Sequence, residues 1–130
     1  MLFRSGPGKR YVYDMATLTD LFTGESSAQV TSDAQLRLPP GITGKILSGE
    51  RLHVAVLTFD PGAKLTNYRR DNEQIVFVAD GELEVDLGDQ QLEVAKRCVL
   101  HIPAGTTHEI EAPRGARIVI AQDKAGADAI

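Results

Sequence analysis

The sequence predicts an all-β barrel or sandwich folded as one domain, and three observations carry that prediction. Short stretches rich in Val, Ile, Leu and Phe alternate with polar residues at a period of two, as strands with one buried face do. Turns containing Gly or Pro punctuate them at short intervals, and only one segment, near the N-terminus, has helical spacing. A chain of 130 residues with 42% hydrophobic and 25% charged residues can bury one core and is not of disordered composition.

In chain order, residues 1–34 read as an N-terminal arm. MLFRS, Met1–Ser5, is either a read-through of a common sequencing adapter or a genuine flexible start, and Met15 is a candidate natural start. Gly6, Pro7 and Gly8 keep the arm irregular. Leu18, Leu21 and Phe22 then fall at i, i+3 and i+4, with Thr17 to cap and Gly24 to terminate one short helix. Residues 35–122 read as the barrel. In RLHVAVLTF, residues 51–59, both faces are apolar, which predicts a strand covered on both sides, by the core and by another sheet or subunit. Residues 74–79 alternate and run into Asp80-Gly81, a hairpin signal. The next strand sets Glu82, Glu84 and Asp86 against Leu83, Val85 and Leu87, and the acidic stripe reads as a solvated face. Gly88-Asp89 turns the chain again, Cys98–Ile102 form a strand, and Pro103-Ala104-Gly105 a turn. His108, Ile110 and Ala112 then share a face opposite Glu109 and Glu111. Arg117–Gln122 close the barrel, and residues 123–130 read as a tail.

Composition excludes several functions. Net charge is −4, with no basic cluster beyond Arg69-Arg70 and Lys96-Arg97, so neither nucleic acid nor an anionic membrane is expected as a partner. No apolar run approaches the ~20 residues of a membrane span. The single Cys98 cannot form an internal disulfide; it reads as a small buried residue, and a reducing, cytoplasmic setting is expected.

Chemistry concentrates in PGAKLTNYRRDNEQIVFVADGELEV, residues 61–85, and in IPAGTTH, residues 102–108. In the first, Gly62 and Gly81 frame Tyr68, Arg70 and Gln74; in the second, Pro103, Gly105 and His108 form Pro-x-Gly-x-x-His. These two windows, in this order and separation, resemble the motifs of the cupin family over roughly residues 40–122. The resemblance implies a cupin double-stranded β-helix, a jelly-roll-like barrel, preceded here by the arm and short helix. It also implies a metal held by imidazoles and a carboxylate at the positions of Tyr68, Arg70, Gln74 and His108. Only His108 keeps the family residue. Arg97 replaces a family Gly and Ala112 a family Asn. The Glu73-Gln74 pair resembles that of pectin-degradation cupins, which act on unsaturated uronates, and by that resemblance Gln74 can supply an amide oxygen.

The substitutions argue against the usual metal cage. Tyr68 ligates only as a phenolate, far from its unperturbed pKa of about 10. Arg70 cannot ligate, because its guanidinium stays protonated. At ~4 Å from a divalent ion it would be repelled by about 8 kcal/mol at an effective dielectric of ~20. A guanidinium in that place instead suits a carboxylate or phosphate, held bidentately. Tyr68, Arg70, Gln74 and His108 are therefore the candidate ligand-binding residues, joined by His53, on the face of Ala55, and by His101, opposite Leu100 and Ile102. Each also has a structural reading: a satisfied buried amide for Gln74, a surface ion pair for Arg70, hydrogen-bonded packing for the histidines.

The expected function is binding of a small anionic or sugar-like molecule in the barrel with no cofactor. Whether the protein is an enzyme is left open. One alternative is a metal-dependent enzyme, sugar-acid isomerase-like or dioxygenase-like, holding Fe, Ni, Zn or Mn through a non-standard set that includes His108 and Gln74. The other is a structural or interaction barrel. A homodimer through the doubly apolar strand is expected.

Overall fold

The computed structural model describes residues 29–31, 38–67 and 72–123. The helix expected at Thr17–Gly24, and Tyr68 and Arg70, lie outside the described residues. Ten strands follow in order: β1 (Gln29–Thr31), β2 (Ile42–Ser48), β3 (Leu52–Phe59), β4 (Ala63–Asn67), β5 (Gln74–Gly81), β6 (Leu83–Asp86), β7 (Gln91–Val94), β8 (Val99–Ile102), β9 (His108–Ala112) and β10 (Ala116–Asp123). The described residues contain no helix. Every pairing is antiparallel, in a six-stranded sheet of order β1-β2-β3-β10-β5-β8 and a four-stranded sheet of order β4-β9-β6-β7. This is the all-β, jelly-roll-like barrel that the sequence predicts. β1 falls within the stretch read as the arm.

The core is where the inward phases of the two sheets meet. The larger sheet contributes Ile42, Ile46, Leu57, Phe59, Val76, Val78, Ile118 and Ile120; the smaller contributes Leu65, Leu83, Val85, Ile110 and Ala112. Each large apolar side chain so buried stabilises the fold by roughly 1.5–3 kcal/mol relative to exposure. The outward phase of the smaller sheet is charged, as the Glu84, Asp86, Glu109 and Glu111 alternation predicts.

Two local expectations are corrected. Asp80-Gly81 does not close a hairpin: β5 lies in the six-stranded sheet, whereas β6 pairs with β7 and β9 in the other. The chain turns a corner between sheets there. Gly81 has φ +76°, and a Cβ on it would lie 2.3 Å from the Gly115 carbonyl oxygen, so the glycine serves both the conformation and the close approach to β10. The hairpin signal at Gly88 holds, with the Leu87 amide donating to the Gln90 carbonyl at 2.8 Å. Cys98 is exposed, not buried. Residues 95–98 form a turn, closed by the Cys98 amide donating to the Ala95 carbonyl, which lifts the side chain off the core. Arg97, standing for the family glycine, has φ +71°, the left-handed conformation a glycine would adopt freely. Its amide donates to the Val78 carbonyl at 2.8 Å, and the Val78 amide donates to the Cys98 carbonyl at 3.0 Å, which pins it there.

The doubly apolar strand is covered on both sides only in part. His53, Ala55, Leu57 and Phe59 face the core, and on the outer face Val56 is buried while Leu52 is 60% exposed. The outer rows Val56, Val119, Phe77, Val99 and Val54, Ala121, Ile75 are continuous across β3, β10, β5 and, for the first, β8. Of these, Ile75, Phe77 and Val99 are exposed.

Candidate functional site

Antiparallel register builds the interior in layers. One layer sets Ile46, Ala55, Ile120, Val76 and Leu100 side by side across β2, β3, β10, β5 and β8, and it is entirely apolar. The next layer toward the end of the sheet sets Ser48 opposite His53, His53 opposite Gln122, and Gln122 opposite Gln74. These four share the inward face, because each lies two residues from an inward apolar neighbour. A barrel otherwise filled with aliphatic side chains thus ends in a row of polar ones.

His108 enters from the other sheet. It opens β9 and shares its inward face with Ile110 and Ala112. Residues 68–73 join the end of β4, where Asn67 pairs with His108, to Gln74; residues 103–107 join Ile102, the partner of Gln74, to His108. Two short connections therefore bring His108 to the same end of the barrel as the polar row.

Burial and hydrogen bonding give each group its state. Gln74 is 1% exposed, Gln122 3% and His108 3%. The Ser48 hydroxyl and His53 Nδ1 are hydrogen-bonded at 2.8 Å. His108 Nδ1 is 3.2 Å from the Thr106 carbonyl. A carbonyl only accepts, so Nδ1 carries the proton and, in the neutral ring, Nε2 the lone pair. Gln74 Nε2 donates to Gln122 Oε1 at 2.8 Å. Gln74 Oε1 is buried and has no hydrogen-bond partner among the described residues. Leaving such an oxygen unpaired costs about 1–3 kcal/mol. Asn72, itself buried, donates from Nδ2 to the Asp123 carbonyl at 3.0 Å and to its carboxylate at 2.5 Å, tying the entry to β5 onto the end of β10.

Of the residues singled out from sequence, the structure brings His53, Gln74 and His108 to one end of the interior. His101 is not among them. On β8 the alternation turns Leu100 and Ile102 inward and His101 outward, where its Nε2 meets the exposed Glu73 carboxylate at 2.5 Å. Sequence reasoning missed Gln122, Ser48 and Asn72. The signal for Gln122 was present: it continues the inward phase of Ile118 and Ile120, and a polar residue in that phase is an anomaly.

Of the four positions that hold a cupin metal, Gln74 and His108 lie among the described residues, and Tyr68 and Arg70 lie outside them. Among the described residues no group of three or more His, Cys, Asp or Glu is placed to hold an ion. His53 Nδ1 is engaged by Ser48, His101 faces out, and His108 with the Gln74 oxygen makes two donors. An open depression of about 650 Å³ lies elsewhere, on the outer face of the four-stranded sheet, among Glu84, Asp86, Glu93, Glu109 and Glu111. Lys64 approaches Glu109 and Glu111 at 3.9 and 4.0 Å, and the face is solvated.

Two antiparallel sheets closed over an aliphatic core, with polar side chains gathered at one end, define a small jelly-roll-like β-barrel. The family model described as "Cupin domain" matches residues 55–120, and the chain belongs to the cupin family. Solved structures similar to it include KdgF from Halomonas sp., at 23% identity and TM-score 0.61 over 68% of this chain and 83% of that one. An RmlC-like cupin from Shewanella frigidimarina matches at 16% identity and TM-score 0.64, over 78% and 97%. The polyketide cyclase RemF from Streptomyces resistomycificus matches at 18% identity and TM-score 0.63, over 73% and 74%. These likenesses are of fold. No curated protein matches the sequence. No helix among the described residues is long and apolar enough to cross a membrane.

Proposed function

We propose that this cupin binds a small anionic or sugar-like molecule at the polar end of its barrel, without a tightly held metal. One observation carries the reading: a buried amide oxygen, Gln74 Oε1, is left without a donor beside a row of polar groups and above an apolar layer. Such an interior offers a ligand hydrogen-bonding groups along one side and an aliphatic surface beneath. His53, Gln74 and His108 supply the polar contacts, with Gln122 holding Gln74 beside them. Tyr68 and Arg70, from the connection between β4 and β5, complete the site, the guanidinium taking the ligand's carboxylate or phosphate. The Glu73-Gln74 pair, which resembles that of pectin-degradation cupins, favours sugar acids among anionic ligands. The protein acts in the cytoplasm, and as a homodimer through the outer face of the six-stranded sheet, where Ile75, Phe77 and Val99 are exposed.

A second reading rests on the same oxygen, since an unpaired amide oxygen is also a donor to a divalent cation. His108 and Gln74 would then anchor an Fe, Ni, Zn or Mn site whose remaining ligands come from outside the described residues, in an enzyme of sugar acids.

The test has two arms. In a thermal-shift screen of sugar acids and small phosphates, a stabilising ligand is expected whose effect is lost in Arg70→Ala; an unchanged response in that variant removes Arg70 from the site. Elemental analysis of protein purified without a metal-affinity tag is expected to find no stoichiometric metal, and near-stoichiometric metal favours the second reading. A monomeric mass in solution overturns the homodimer; a dimeric mass that Phe77→Glu lowers to that of one chain supports it.

A further inference from the structure

The polar row contains one hydrogen bond whose direction decides what the interior offers. A glutamine carboxamide has an acceptor end and a donor end, and a free one can turn either toward a ligand. Gln74 is not free. Its Nε2 donates to Gln122 Oε1 at 2.8 Å, across directly opposed positions of β5 and β10. One of its two N–H groups is engaged by β10, which holds the carboxamide in one orientation and leaves Oε1 buried and without a partner among the described residues. Gln122 is itself 3% exposed and held in mid-sheet, between β3 and β5.

We infer that Gln122 is a positioning residue that sets the chemical class of ligand: by accepting the Gln74 Nε2 proton it fixes Gln74 Oε1 as an acceptor toward the barrel interior, which therefore selects a hydroxyl or N–H donor over a carboxylate or carbonyl oxygen at that point. The inference rests on the proposed ligand-binding reading and adds polarity to it. A carboxylate meeting Gln74 Oε1 sets oxygen against oxygen, whereas a hydroxyl supplies the missing donor. The ligand class that fits both ends of the site is a hydroxy acid, with its anion held elsewhere and a hydroxyl on β5.

The experiment compares D-gluconate, whose hydroxyls donate, with adipate, a dicarboxylate of the same carbon count that at neutral pH only accepts. Affinities are measured by calorimetry on the full chain. The wild type is expected to prefer gluconate by about tenfold, the worth of one hydrogen bond to an otherwise unpaired buried group. Gln122→Leu removes the acceptor, lets the Gln74 amide turn, and is expected to bring the ratio to within about twofold. Gln122→Glu keeps an acceptor in place and is expected to restore the preference. In the wild type, nitrogen-15 spectra should show one Gln74 side-chain amide proton protected from exchange, a protection lost in Gln122→Leu; unprotected amide protons in the wild type overturn the inference whether or not the variants fold. Gluconate and adipate bound equally by the wild type, or a ratio that Gln122→Leu leaves unchanged, overturn this inference and leave the binding reading intact. Binding of neither probe overturns both.

Discussion

Replacing both Gln74 and Gln122 by leucine separates a row kept for a ligand from one kept for the fold. In the wild type one hydrogen bond joins the pair, Gln122 has a further polar contact, and one buried oxygen of Gln74 is unpaired. Losing both interactions costs about 1–3 kcal/mol, and removing the unpaired oxygen returns about 1–3 kcal/mol. The two leucines continue the apolar layer of Ala55, Ile120 and Val76 and add up to ~1 kcal/mol of burial after imperfect packing. The net expectation is a double variant more stable by about 1 kcal/mol, a rise in melting temperature of ~4 °C for a domain of this size. Each single variant should be less favourable than half of this, because each leaves the other amide facing an apolar partner. Urea unfolding of the four proteins gives the cycle directly. A double variant destabilised by more than about 1 kcal/mol would refute the reasoning, since the row would then be holding the sheet together. A stabilised variant that no longer binds gluconate is the outcome the site predicts.

Two further perturbations test the backbone and the surface. Arg97→Gly relieves a left-handed residue at φ +71°; with the greater freedom of glycine in the unfolded chain deducted, it should stabilise by ~0.5–1 kcal/mol, and an unchanged or lower melting temperature contradicts the strain. Glu84 lies directly opposite both Glu93 and Glu111, so Glu84→Lys turns two like-charge pairs into opposite ones and should add roughly 1 kcal/mol at low salt, a gain expected to vanish in molar salt.

Much of the fold was legible because it follows from period-two alternation and from glycines that only one conformation explains. Gly62 and Gly81 both have positive φ, and His108 and Gln74 both fall in the inward phase that their strands predict. The Asp80-Gly81 pair signals a hairpin because residue types report the local conformation, which is indeed left-handed at Gly81, but not which sheet the next strand joins. Gln122 escaped for a related reason. Its partner Gln74 is far away in sequence, and only the β5–β10 register sets them side by side. Ser48 and His53 are closer in sequence, yet their link also depends on register, across β2 and β3. A lone polar residue in an apolar phase looks like noise until four strands align and it becomes a row. Cys98 misled because its neighbours Val99 and Leu100 suggest a strand, whereas the turn at 95–98 holds it outside.

The central claim is most directly tested by titrating D-gluconate into chelator-treated, nitrogen-15-labelled protein while following the side-chain amides of Gln74 and Gln122. Saturable shifts of these two signals, with the backbone of the acidic outer face around Glu84 unmoved, are the predicted result. Signals that stay fixed, or that move only when a divalent cation is restored, would contradict it.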